Sequence, residues 1–488
     1  MGENVCHRPW RAAAVVLLVT GLAVLTTPRS TEAANSAACA GIQVGVNDDL
    51  SSLVDSRPDY STFCVSAGLH RLSRPVHVKG HDAIIGAPGA ILDGSRLLTT
   101  FMKAGQYWIA PQQTEENSYM VGQCAPSYPV CQRSDDVFVD DHPLRRVSAL
   151  GQVVAGTFFF DYAADRIYLA DDPTGHKVEV AVVGPGLYGD ALGHAQVSGL
   201  VVQKFLGVGI RGTDWLIQGN EVRFNHRIGI AVAANGIIRN NYVHDNGQLG
   251  IGMTGDERTN IIVEGNEIAH NNYAGYCPCW ESGGIKYTQT VGLTVRNNNV
   301  HNNFGPGIWI DYDNNNVVID ANKVEANTDE GVIIEASFNV AVHDNLVKDN
   351  GLRMDPTWMQ GAGIVNQSSA NVDVYGNTVD GNLNGIGATQ RARGRGAFGA
   401  REVANFRVYG NVIIMRGGQS GLVETTGDST YYKSKGNRYW GNRYVLGCQE
   451  KPFIWKDPLN RASYRSLSTA EWVAAGNDPS ASVSVACP

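Results

Sequence analysis

From residue 220 onward one pattern keeps returning: an asparagine, a β-branched residue two places on, and a second asparagine five places after the first. The first asparagines are Asn220, Asn241, Asn266, Asn298, Asn322, Asn345 and Asn377. The β-branched partners are Val222, Val243, Ile268, Val300, Val324, Val347 and Val379. The second asparagines are Asn225, Asn246, Asn271, Asn303, Asn327, Asn350 and Asn382. A glycine followed by Ile or Val closes each unit, as in Gly284-Ile285, Gly307-Ile308 and Gly331-Val332. One such unit cannot bury its apolar side alone, so neighbouring units must stack into a solenoid.

The ladder of leucines that marks leucine-rich repeats is absent, and the apolar segments are too short for helical repeats. What remains is an all-β right-handed parallel β-helix, with short strands joined by tight turns. Asparagine suits such turns because it tolerates the left-handed conformation, and its stacked amides can bond from coil to coil. The high glycine content, 56 of 488 residues, agrees with turn-dense β structure. Charged residues are only 18% and the net charge is -8. That excludes a nucleic-acid binder that relies on a basic surface.

The pattern divides the chain. Arg8 and Arg11 before the apolar run Ala12 to Leu25, with small residues after it, read as a secretory signal peptide over residues 1–34. The run is too short to span a membrane comfortably. Residues 35–100 read as an N-terminal cap and first coils, 101–185 as a β-rich insertion, 186–429 as the β-helix proper, and 430–488 as a C-terminal cap carrying Trp440, Trp455 and Trp472. Eight cysteines remain after the signal, an even number that suits disulfides in a secreted chain. Nearest-neighbour pairing would join Cys39 to Cys64, Cys124 to Cys131 and Cys448 to Cys487. Cys277 and Cys279 are expected to be structural, with no metal site.

Strand alternation locates candidate chemistry. Counting from each coil's glycine, positions +1 and +3 are apolar and point inward, so +2 and +4 point outward. Position +4 reads Thr254, Thr288, Asp311, Glu335, Gln367 down the stack, and +2 reads Gly252, Lys286, Trp309, Ile333, Val365. Asp311 and Glu335 therefore fall in one column on adjacent coils. With strands about 4.8 Å apart, their carboxyls would lie roughly 5–6 Å from one another on an open face. Like charges stacked in a sheet are destabilising, so such a pair calls for a role. Retaining glycosidases use two carboxyls at about 5–5.5 Å.

Loop lengths point the same way. The stretch from first asparagine to glycine is nine residues longer after Asn266 and Asn345 than in ordinary coils, and both expansions occupy the same turn. One contains Tyr273, Tyr276, Trp280 and Glu281, and the other contains Arg353, Asp355 and Trp358. They are expected to wall a groove whose floor is the carboxylate pair. Lys286, Trp309, Glu281, Trp280, Asp313, Gln367 and Trp358 are the expected substrate contacts. Residues 388–402, with Arg391, Arg393, Arg395 and Arg401 among three glycines, read as a solvated loop. Recruitment of an acidic sugar polymer is the functional alternative.

Gly307-Ile-Trp-Ile-Asp311, with Glu335 one coil later and Gly283-Gly284-Ile285-Lys286 one coil earlier, resembles the catalytic stretch of right-handed β-helix glycoside hydrolases, notably the β-xylosidase group. A small β insertion early in the helix is similar too. The resemblance implies Asp311 as nucleophile and Glu335 as acid/base. It also implies a carbohydrate polymer or oligosaccharide as partner and no cofactor. That group carries a His shortly after the acid/base, whereas Ala336, Ser337, Phe338 and Asn339 follow Glu335 here. Two other functions compete: a polysaccharide lyase on the same scaffold, with Lys286 as base and calcium as cofactor, and a non-catalytic carbohydrate-binding β-helix.

Overall fold

The β-branched repeat builds three sheets, each of 13 strands among the described residues and parallel except at the terminal strand Ser466–Leu467, and each coil of the chain contributes one strand to every sheet in turn. The computed structural model describes residues 39–115, 122–189, 193–354, 359–455 and 466–486. The expected signal peptide lies outside them. The described residues from Gly41 onward form one compact unit. No helix among the described residues is long and apolar enough to cross a membrane.

The expected alternation sets the packing. Ile308, Ile310, Val332 and Ile334 are fully buried in one continuous core enclosed by the three sheets. Strand registers run straight from coil to coil, as where Ile308–Asp311 pairs with Val332–Glu335.

Asparagine ladders tie the turns together. Asn298 donates its backbone N–H and side-chain amide to Asn322 Oδ1, each at 3.0 Å, and Asn322 repeats the pattern on Asn345. The first column continues past the repeat, through Asn377, Asn411 and Asn442 to Asp478. The conformational reason expected for these asparagines does not hold. The left-handed residues are the ones just before them: Asn297, Ala321, Asp344 and Gly376. The ladder asparagines are selected for their amides. These feed buried backbone groups that would otherwise be orphaned.

Two small sheets depart from the solenoid. One joins Ser95–Leu97, Val137–Val139, His142–Pro143 and Val178–Ala181, and the other runs from Met102–Ala104 to Arg166–Leu169 around a core of its own. The insertion is anchored on the solenoid by Lys204 pairing with Glu179 and by His226 to Asp136 at 2.8 Å. At the far end the helix Thr469–Ala474, opened by a Ser468/Glu471 capping box, buries Trp472 against Phe453 and Tyr439. Cys124 bonds to Cys131, and Cys277 bonds to Cys279. Cys39, Cys64 and Cys448 are also disulfide-bonded. Cys487 lies outside the described residues.

Candidate active site

Asp311 and Glu335 are direct register partners on neighbouring strands of one sheet. Above Asp311 in the same column stands Thr288, and below Glu335 stand Gln367 and Thr389. The column points away from the core, as alternation requires.

The neighbouring outward column makes the pair tolerable. Lys286 Nζ lies 3.1 Å from Asp311 Oδ2 and only 3.4 Å from the centroid of the Trp309 ring, and it donates to the carbonyl of Trp280 at 2.6 Å. A buried ammonium is costly unless paired, and these three contacts compensate it. Trp309 turns its Nε1–H onto Glu335 Oε2 at 3.2 Å. Trp309, Ile333 and Val365 do not face water, although they point outward. Met359, Ala362, Val423 and Ile454 cover them with a second apolar cluster.

One expectation about this face fails. Glu335 is not on an open surface: it is 7% exposed, whereas the Asp311 carboxyl remains partly accessible. The cover is the arginine loop. Strand Asn384–Gln390 of the same sheet runs into a two-stranded hairpin, Arg395–Gly396 with Gly399–Ala400, that folds back over the column. Arg393 forms an ion pair with Glu335. Arg401 clamps Asp313 with two bonds, Nε to Oδ1 at 3.0 Å and Nη2 to Oδ2 at 2.7 Å, and lies over the Tyr312 ring at 4.0 Å. Asp313 thus anchors the hairpin. A sequence signal existed, because the loop leaves the same sheet at the same end as the Asp311/Glu335 column.

Burial and the neighbouring charge of Asp311 raise the Glu335 pKa, while Arg393, Lys286 and Arg391 pull it down. A third carboxyl, Glu330, accepts the N–H of Gly361 at 3.2 Å, and burial next to Asp329 pushes it up to about 8.

The long loops enter this sheet at a common edge, preceding Gly283–Thr288 and Ala362–Gln367. Trp280 is 45% exposed. Tyr273 and Tyr276 instead turn toward the insertion, Tyr273 onto Asp136 at 2.6 Å and Tyr276 toward His226 at 3.2 Å. Glu281 lies within electrostatic reach of Arg258. In the second loop Met359 packs on the outer cluster, and Trp358 and Asp355 lie outside the described residues. No group of three or more His, Cys, Asp or Glu that could hold a metal ion occurs among the described residues.

With this geometry in hand, the comparisons define the class. The family described as "Right handed beta helix region" matches residues 206–379. The fold is a right-handed parallel β-helix. The chain is similar to the structure titled "The complex structure of XylC with xylose", at 14% identity and a TM-score of 0.63, covering 81% of this chain and 80% of that one. It is also similar to the mannuronan C-5 epimerase AlgE6 A-module of Azotobacter vinelandii, at 14% identity and a TM-score of 0.44, covering 92% and 97% of the two chains. At 14% identity the likeness to the XylC structure concerns the fold. No curated protein matches the sequence.

Proposed function

We propose that the protein is an exported carbohydrate-active enzyme, a retaining glycoside hydrolase, with Asp311 as nucleophile and Glu335 as acid/base. The observation that carries this is the direct register of the two carboxylates on adjacent strands, roughly 4.8 Å apart at the backbone. Asp311 attacks the anomeric carbon as the glycosidic C–O bond breaks, and Glu335 gives its proton to the departing oxygen. Water then attacks the glycosyl-enzyme, Glu335 takes the water's proton, and Asp311 leaves as carboxylate. The two environments suit the two roles. Asp311 has the Lys286 ammonium at 3.1 Å, an ion pair that holds the nucleophile in place, whereas burial favours the protonated form of Glu335. Export is supported by the disulfides.

The lyase alternative needs Lys286 to act as a base. Its Nζ meets a carboxylate, a carbonyl oxygen and an aromatic face, all contacts that an ammonium makes. This favours the hydrolase. A panel of aryl glycosides and polysaccharides separates the two. Release of a reducing sugar that stops in Asp311→Ala is the expected result. A product that absorbs in the ultraviolet through a new C=C bond would assign the lyase.

A further inference from the structure

We propose that this site takes a sugar bearing a carboxylate, a uronate, and that the substrate's carboxylate replaces Glu335 as the partner of Arg393. The proposal deepens the carboxylate-pair assignment made above and shares its site.

The charge balance of the column carries the argument. Lys286 is matched by Asp311, and Arg401 by Asp313. Arg393 is matched by Glu335 alone. A proton donor must carry its proton, and once Glu335 does, Arg393 faces a neutral carboxylic acid in a largely buried spot. An unpaired guanidinium there is costly. A neutral sugar offers it no charge. A uronate supplies a carboxylate for the one that Glu335 gives up, and a guanidinium edge donates two parallel bonds to a carboxylate.

Arg393 is free to make that exchange. Of the five N–H donors on an arginine side chain, one contacts Glu335, no other has a protein acceptor among the described residues, and the side chain is 30% exposed. Its backbone is held more firmly. Arg401 Nη1 reaches the Arg393 carbonyl at 3.4 Å, and the clamp on Asp313 fixes the hairpin below it. Arg391 stands within electrostatic reach of Glu335 as well. Its side chain has no ion pair among the described residues. With Glu335 protonated, the column therefore holds two unmatched guanidinium groups. Hydrophobic shielding does not explain them, because the apolar cover of Trp309 and Ile333 is supplied by Met359, Val423 and Ile454.

The test uses the full-length protein and two sugars that differ by one carboxylate, D-glucuronate and D-xylose, with D-galacturonate and D-galactose as a second pair. Calorimetric titration is expected to show a uronate bound at least about tenfold more tightly than its neutral counterpart, the range of a charge-assisted bond. Arg393→Met should bring the two within about twofold, and Arg393→Lys should keep part of the preference. Arg395→Met, on the exposed edge of the hairpin, should leave it intact. Glu335→Gln removes the competing carboxylate, so it should bind uronate more tightly than the parent protein, an effect that a merely structural Arg393 would not produce. Equal binding of acid and neutral sugars, binding of neither, or a preference that survives in Arg393→Met overturns the proposal. The two assignments can fail separately. Uronate selectivity without cleavage of any aryl uronide would sink the hydrolase and leave this inference standing. Cleavage of aryl xylosides with indifference to uronates would do the reverse.

Discussion

Two outward faces run along the same coils and carry different columns. On one sheet, two stretches stack like on like, beside a mixed column of Val318, Ala341, Asp373 and Arg407. Asn339, Asn371 and Asn405 pass amide bonds upward at 2.7 to 2.9 Å, and His343, Tyr375, Tyr409 and Trp440 stack ring on ring at 4.5 to 5.1 Å. That is what repetition every 4.8 Å favours when only stability is at stake. On the site-bearing sheet the columns are mixed. Thr288, Asp311, Glu335, Gln367 and Thr389 follow one another, beside Lys286, Trp309, Ile333 and Val365. Two acids sit in register and need a lysine, an indole N–H and an arginine to hold them. The asparagine and aromatic stacks show what the scaffold does by itself, and two like charges in direct register mark where another demand acts.

The comparison can be broken most sharply at its two kinds of aspartate. Asp311→Ala should lower turnover by about 10⁴-fold, the scale of losing a nucleophile. Asp373→Ala, on the ladder face beside Arg407, should leave turnover unchanged in the same assay. Glu335→Ala should cost about 10²- to 10³-fold on substrates with poor leaving groups and far less on activated aryl glycosides, with azide restoring part of the rate. An equal loss on all leaving groups would separate Glu335 from proton transfer.

Asn322→Ala addresses the scaffold. It removes a buried amide that accepts two bonds from Asn298 and donates to Val295 and Asn345. A loss of about 3 kcal/mol in denaturant unfolding is expected. Arg393→Met should move the basic limb of kcat/KM to higher pH. The sign follows from Glu335. Activity needs its protonated form and is lost as pH rises through its pKa, and Arg393 holds that pKa down against burial and Asp311. A limb that moved down, or stayed put, would show that Glu335 does not set it. Tyr375→Ala, on the half-buried aromatic ladder, should cost about 1 kcal/mol and leave activity alone.

The solenoid was legible because its signal repeats. Seven copies of the asparagine pattern specify period, turn and inward face together, so the register of Asp311 against Glu335 followed from counting positions. The place of the cover could be read from the end of the strand it leaves, but its contacts could not. Arg393 and Arg401 lie in a glycine-rich loop with no period, and their targets, Glu335 and Asp313, are 58 and 88 residues away in sequence. Pattern reasoning cannot place such pairs, and composition alone made the loop look solvated. Tyr273 and Tyr276 escaped for a related reason. Their partners Asp136 and His226 come from the insertion and from an earlier coil. The left-handed turn residue was missed by one position, because Ala321 and Asp344 take the strain while the asparagines beside them keep the ladder.

The central claim is that Asp311 becomes covalently bound to the sugar. The most direct measurement is mass spectrometry of the protein after incubation with a panel of 2-deoxy-2-fluoroglycosyl fluorides, followed by peptide mapping. The account predicts a single adduct of one fluoroglycosyl group on Asp311, absent from Asp311→Ala and accumulating further in Glu335→Ala when the leaving group is fluoride. An adduct on another residue, or a hydrolysis product of inverted anomeric configuration by NMR, would contradict it.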